Sequence, residues 1–231
     1  MRRPPRIGRH TPASVVTGRL TGMASTDGSG RCFGDGDPLL ARYHDEEWGV
    51  PVHGEHALFE RFALEGFQSG LSWITVLRKR PAFRAAFADF DAEVVAGFGD
   101  DDVARLMADA GIVRNRAKIE ATIANAHALR ALHQHGRTLD EVLWSHAPAP
   151  APDGRRRPLT WADVPATSPE STALAKELKR LGFRFVGPTT VYASMQACGV
   201  VDDHLALCPV AVARDAGVAS GTVPAGGAAR P

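Results

Sequence analysis

The sequence predicts an all-α fold, and three observations carry that expectation. Helix-capping signals recur along the chain, the apolar residues between them repeat at three- and four-residue spacing, and the apolar/polar alternation of strands is almost absent. Asp37-Pro38 pairs an N-cap with the favoured first-turn proline and opens a helix through Leu39, Leu40 and Tyr43. A second helix is expected over about 56–68, with Leu58, Phe59, Phe62 and Ala63 on one side. Ser72 is placed to cap a third through Ile74 and Leu77, and Pro81 to open a fourth that sets Phe83 and Phe87 four apart. Asp91 and Asp100 are read as caps of two short helices. Ile119, Ile123, Ala126 and Leu129 then recur at helical spacing, and Thr138-x-x-Glu141 is a capping-box pattern. Ser168-Pro169 opens a helix that turns Leu174, Leu178 and Leu181 inward and stops at Gly182. A last helix over about 188–198 stops at Gly199.

The 231 residues suffice for one large domain or two small ones, and 44% hydrophobic with 23% charged residues is ordinary globular composition. Lys+Arg 27 against Asp+Glu 26 leaves a formal net charge of only +1. A nucleic-acid partner therefore requires the positive charge to be gathered on one face. No apolar run approaches a membrane span, and no apolar segment follows Arg2 and Arg3 as a signal peptide would need. Three cysteines, Cys32, Cys198 and Cys208, cannot close a disulfide set, which points to a reducing cytoplasm with metal ligation or free thiols. Residues 1–30 are rich in Arg, Pro, Gly, Ser and Thr and read as a disordered extension, with Met23 as an alternative start. Residues 31–209 read as the folded helical unit, 147–158 as a surface loop, and 210–231 as a flexible tail.

His204-x-x-x-Cys208 sets an imidazole and a thiol one helical turn apart, and Cys32 with His44 forms a second pair at the other end of the unit. Together they make a Cys2His2 set that suits tetrahedral zinc and leaves no open position, hence a structural ion. Spacing alone leaves a second reading open: two buried thiols and two ordinary histidines. His44-Asp45-Glu46-Glu47-Trp48 looks superficially like a zinc-hydrolase helix, but no second histidine sits four residues on.

Longer runs carry a family resemblance. Tyr43-His44-Asp45-Glu46-Glu47-Trp48-Gly49-Val50-Pro51, Leu64-Glu65-Gly66-Phe67-Gln68-Ser69-Gly70-Leu71-Ser72-Trp73, Asp109-Ala110-Gly111-Ile112-Val113-Arg114-Asn115-Arg116-Ala117-Lys118-Ile119 and residues 182–208 resemble the 3-methyladenine DNA glycosylase I family. The match runs in order through essentially the whole folded unit. It implies a helix-hairpin-helix glycosylase fold, excision of alkylated adenine from double-stranded DNA by a monomer, and one zinc ion on Cys32, His44, His204 and Cys208. Leu40, Phe67 and Ala117 depart from the family pattern, and the Cys32–His44 spacing is one residue short.

The resemblance also assigns roles. A base must leave the duplex before its glycosidic bond is cut. Tyr43 and Trp73 would supply aromatic faces for the flipped base, although a tryptophan in such a run is more often core. Methylation at N3 makes adenine cationic, which attracts it to aromatic faces and to a carboxylate. Glu65 is the candidate catalytic residue: it would accept hydrogen bonds from the amino edge and balance the charge, where sequence alone suggests a helix-end glutamate in solvent. No catalytic aspartate or nucleophilic lysine is placed. Gly111 would allow a tight hairpin turn, with Arg114, Arg116 and Lys118 beside a phosphate-binding helix N-terminus; the bland alternative is a solvated basic face. In 68–71, Gly70 would let the backbone approach the duplex and Leu71 would wedge between bases.

Overall fold

A computed structural model describes residues 30–149 and 157–219, and the described residues contain α-helices and no strand. The expected disordered extension, part of the 147–158 loop and the far end of the chain lie outside those residues. Asp37 opens α1 (Pro38–Glu46) as expected, its carboxylate accepting from the Leu39 and Leu40 N–H groups at 3.0 and 3.1 Å. This cap sets the direction of a helix that delivers Tyr43 and His44 to the interior.

The central element is α2 (Glu55–Gln68), which packs against α3 (Trp73–Ala86), α6 (Arg116–Gln134), α7 (Leu139–Trp144) and α9 (Pro188–Ala197). A helix covered on several sides must be apolar nearly all round. Leu58, Phe59, Phe62, Ala63, Leu64 and Phe67 meet that demand, and Glu65 breaks it. Phe67 meets Phe83 in a tilted contact at 4.6 Å between centroids, and Phe87 stacks on Phe90 at 5.6 Å, so a phenylalanine cluster joins α2 to α3 and the turn after it.

Pro81 lies inside α3 and does not open a fourth helix. Trp73, Val76 and Leu77 before it and Phe83 and Ala86 after it bury into one core, and that shared packing outweighs the lost N–H. Asp91 caps the short α4 (Ala92–Val95) through the Glu93 and Val94 N–H groups. Asp100 is not a cap: it is the first residue of α5 (Asp100–Ala108), and the Asp102 carboxylate accepts from Gly99 N–H at 3.2 Å. Three acidic residues in one first turn are all favoured by the positive helix end, so sequence alone misplaces the cap among them. Thr138 and Glu141 form the expected capping box of α7, and Ser168-Pro169 starts α8 (Pro169–Arg180).

Within the tail expected at 210–231, the described residues form a helix, α10 (Pro209–Ala219). Its Ala/Val/Gly composition hides two anchors. Ala211 is fully buried, and the Arg214 guanidinium donates to Gly49 O at 2.9 Å and to Asp202 at 3.0 Å.

Candidate active site and metal centre

Glu65, Tyr43 and Trp73 come from three elements, with Tyr43 the neighbour common to the other two. Tyr43 comes from α1 and Trp73 from the first turn of α3, with ring centroids 5.1 Å apart. Glu65 sits on α2, 6% exposed, and Tyr43 and Trp73 are no more open at 1% and 3%. Burial pushes the Glu65 carboxyl up to about 7, with the Arg61 guanidinium opposing. Ionising it there costs about 3 kcal/mol more than in water. Burial also raises Tyr43, and the Glu65 charge adds to that, which places the phenol and the carboxyl in one electrostatic neighbourhood. The Cys198 thiol is pushed up to about 12 by the same burial.

Sequence reasoning missed Arg61. It precedes Glu65 by four, hence one turn along the same face of α2. Its Cζ lies 5.8 Å from the Tyr43 ring, and its Nη2 donates to Glu47 at 2.8 Å. Glu47 also holds Arg80, and despite burial these two cations draw its carboxyl down to about 2. Two buried donors of this neighbourhood, Arg61 Nη1 and Trp73 Nε1, have no hydrogen-bond partner among the described residues. Unpaired buried donors are rare in native folds and mark places where water or a ligand completes the set.

On the far side of Tyr43, α1 turns His44 toward both thiols. Cys32, His44 and Cys208 are buried, and their ligating atoms lie within 4.8 Å of one another. The Cys208 Sγ is 3.5 Å from His44 Nε2. The two thiols share a hydrogen bond that raises one, Cys32, and lowers the other, Cys208, so the pair holds one proton between them more readily than two. His204 adjoins this group without joining it: its ring centroid is 4.8 Å from that of His44, and its Nε2 is 3.4 Å from His44 O. Both imidazoles have their other nitrogen on a carboxylate, His44 Nδ1 on Asp45 at 2.8 Å and His204 Nδ1 on Asp202 at 2.6 Å. Carboxylates that fix the tautomer and leave Nε2 free are the usual outer partners of metal-bound histidine. Each carboxylate is itself held, Asp45 by Arg31 and Asp202 by Arg157 and Arg214. The donor set therefore fits a metal ion. Asp45 beside His44, and Asp202 two before His204, were the sequence signals for these partners.

The candidate DNA residues separate in the structure. Gln68 to Leu71 forms a turn, with Leu71 N–H donating to Gln68 O at 2.7 Å and Gln68 Nε2 to Leu71 O at 2.9 Å. Gly70 is exposed at φ +81°, with open space where a Cβ would stand. Between α5 and α6, residues 109–115 form the expected connection, and Asn115 caps α6 through Lys118 N–H. Gly111 is required there by close approach and not by its dihedrals, since a Cβ would stand 3.0 Å from Ala82 Cβ on α3. Arg114 and Arg116 are exposed. Lys118 is not: it is 8% exposed, and its Nζ donates to Phe67 O at 2.8 Å and Ser69 O at 2.5 Å. Its place in the third position of α6 turns it toward α2, so the expected phosphate contact from Lys118 is corrected to an internal one.

The geometry can be set beside known proteins. A family model described as Methyladenine glycosylase matches residues 33–211. The chain belongs to the methyladenine glycosylase family. DNA-3-methyladenine glycosylase 1 of Escherichia coli (strain K12) is 47% identical over 175 residues, 74% of this chain and 91% of that protein. The DNA-3-methyladenine glycosylase of Haemophilus influenzae is 45% identical over 172 residues, 72% of this chain and 89% of that one. A crystal structure of 3-methyladenine DNA glycosylase I superposes with TM-score 0.73 at 45% identity, covering 78% of this chain and 98% of the other. A tyrosine-to-phenylalanine variant of 3-methyladenine DNA glycosylase I in complex with 3-methyladenine gives 0.72 at 37% identity, covering 78% and 95%. The all-helical architecture is thus that of this family, and no helix among the described residues is long and apolar enough to cross a membrane.

Proposed function

We propose that this chain is a monofunctional DNA-3-methyladenine glycosylase of base excision repair, acting in the cytoplasm as a monomer on double-stranded DNA. The observation that carries the reading is the buried carboxylate of Glu65 beside Tyr43, Trp73 and two unpaired N–H donors. A carboxylate buried this deeply is costly and is retained where a cationic partner arrives. The flipped 3-methyladenine is such a partner: its ring stacks on the aromatic faces while Glu65 accepts from its amino edge and balances its charge. The base is already a good leaving group. Water adds to C1′ and gives up a proton to solvent, the glycosidic bond breaks with its electron pair passing to N9, and the base leaves uncharged while an abasic site remains. The protein's contribution is to bind the cation, exclude neutral adenine and stabilise charge developing on the sugar. Incubation with methylated duplex should release free 3-methyladenine. A protein that bound the duplex and released no base would be a zinc-stabilised DNA-binding module instead.

Residues 31–219 form the catalytic unit in this reading, with a helix-hairpin-helix DNA interface at 109–115. Its exposed Arg114 and Arg116 and the N-terminus of α6 hold phosphate, while Gly70 and Leu71 enter the space left by the flipped base. Arg114→Ala should weaken duplex binding equally on all sequences and reduce the salt slope by about one, with the released base unchanged, since phosphate contacts carry no sequence information. Titration of binding against salt checks this.

One zinc ion would be held by Cys32, His44 and Cys208, with His204 as fourth ligand. Four protein ligands leave no open coordination position, so zinc supplies structure and no reaction step. Cys198 faces the Glu65 neighbourhood and not the thiol pair, so Cys198→Ala should leave the zinc content at one per chain by elemental analysis.

A further inference from the structure

The two turns assigned to DNA are tied together by two lysines in a reciprocal arrangement. Turn 68–71 leads into α3, and Lys79 of α3 donates through Nζ to Ala110 O at 2.7 Å and Gly111 O at 3.2 Å. That connection leads into α6, and Lys118 of α6 donates through Nζ to Phe67 O and Ser69 O. Each helix thus carries the lysine that grips the turn opening the other helix.

The carbonyls that Lys118 takes belong to the end of α2 and to the turn beyond it, groups with no partner inside their own helix. Their charge-assisted bonds are stronger than neutral ones. Gly111 closes the other clasp by packing against Ala82, and its N–H donates to Asp109 Oδ1 at 2.7 Å. The Lys118 ammonium is buried and spent on these carbonyls, although it lies in a segment that reads as a basic DNA contact.

We propose that Lys79 and Lys118 are positioning residues that fix the distance between the phosphate-holding hairpin and the base-displacing turn. The inference rests on the glycosylase reading and deepens it. Flipping needs the backbone held at one point while Leu71 enters the stack at another. A displacement on the order of 1 Å between such points can cost about a hundredfold in rate.

The test uses Lys118→Met and Lys79→Met, which keep the aliphatic stem and remove the ammonium. Three quantities are read in each: excision of 3-methyladenine from methylated duplex at saturating enzyme, binding of free 3-methyladenine, and destacking of 2-aminopurine placed beside an abasic analogue. Excision and destacking should fall about tenfold or more, while free-base binding and duplex affinity stay within about twofold of wild type. Wild-type excision in both variants overturns the proposal, as does loss of free-base binding in step with excision, which would mean a damaged pocket. If Lys118→Met does not fold, Lys79→Met alone decides, because it leaves α2 untouched. A wild-type protein that released no base would refute the glycosylase reading itself, an outcome separate from either variant's.

Discussion

Replacing Glu65 with glutamine is expected to slow single-turnover release of 3-methyladenine by tenfold to a hundredfold or more. Glutamine keeps the size and some hydrogen bonding but removes the negative charge facing a cationic base. Each lost interaction is worth about 1–3 kcal/mol, hence about one to two powers of ten in rate. Duplex affinity should barely change, since that term belongs to the phosphates. The pH dependence follows from the raised carboxyl. With Glu65 titrating near 7, kcat/KM should rise as pH increases through about 7, and that limb should vanish in Glu65→Gln. Arg61 is the facing cation, with Tyr43 and Cys198 the other titratable groups in the neighbourhood.

Stability should move the other way. Because the folded carboxyl holds its proton more tightly than the unfolded one, its favourable contribution is present below about 4.5 and is lost as pH rises through about 7. Glu65→Gln should therefore melt no lower than wild type at neutral pH, and higher at alkaline pH. A gain in melting temperature with a loss of excision is the signature of a functional charge kept at the expense of stability. A glutamate with a purely structural role would show the reverse.

Removing the proposed zinc ion is expected to have the largest effect on stability. An ion that binds the folded chain and not the unfolded one adds its binding free energy to folding, and structural zinc supplies on the order of 10 kcal/mol in small metal-dependent domains. Here a buried core also holds the fold, so chelation should leave a folded protein whose melting temperature is lower by about 20 °C or more. Cys208→Ala should do the same and release the zinc. The damage should be local, because Cys32 and His44 lie at one end of the unit and Cys208 at the other. Proteolysis should open the α10 end before it reaches α2. Equal melting temperatures with and without chelator would refute a structural ion.

Much of this was legible in the sequence wherever the signal was local. The Asp37-Pro38 start, the Thr138–Glu141 box and the Ser168-Pro169 start each depend on residues within one turn of one another, and each forms as expected. Pro81 misled because its local meaning is a helix start, and only the packing of both halves of α3 against one core overrides it. Lys118 misled because a basic residue beside two exposed arginines gives no local sign that it faces inward; its carbonyl partners lie 51 and 49 residues away. Arg61 was overlooked for the same reason, since its relation to Tyr43 exists only once α1 and α2 pack. The metal group was legible as paired Cys and His residues, but not that three ligating atoms converge while His204 stands beside them.

In the proposed reaction a buried carboxylate with aromatic neighbours selects a cationic base, and excision follows from that selection. The most direct measurement is chromatography of every base released from one methylated duplex by wild type and by Glu65→Gln under single-turnover conditions. Wild type should release free 3-methyladenine with unmodified adenine retained, the variant should lose about tenfold or more, and borohydride should trap no adduct in either. Wild-type release of neutral bases at comparable rates, or an undiminished rate in Glu65→Gln, would contradict that selection.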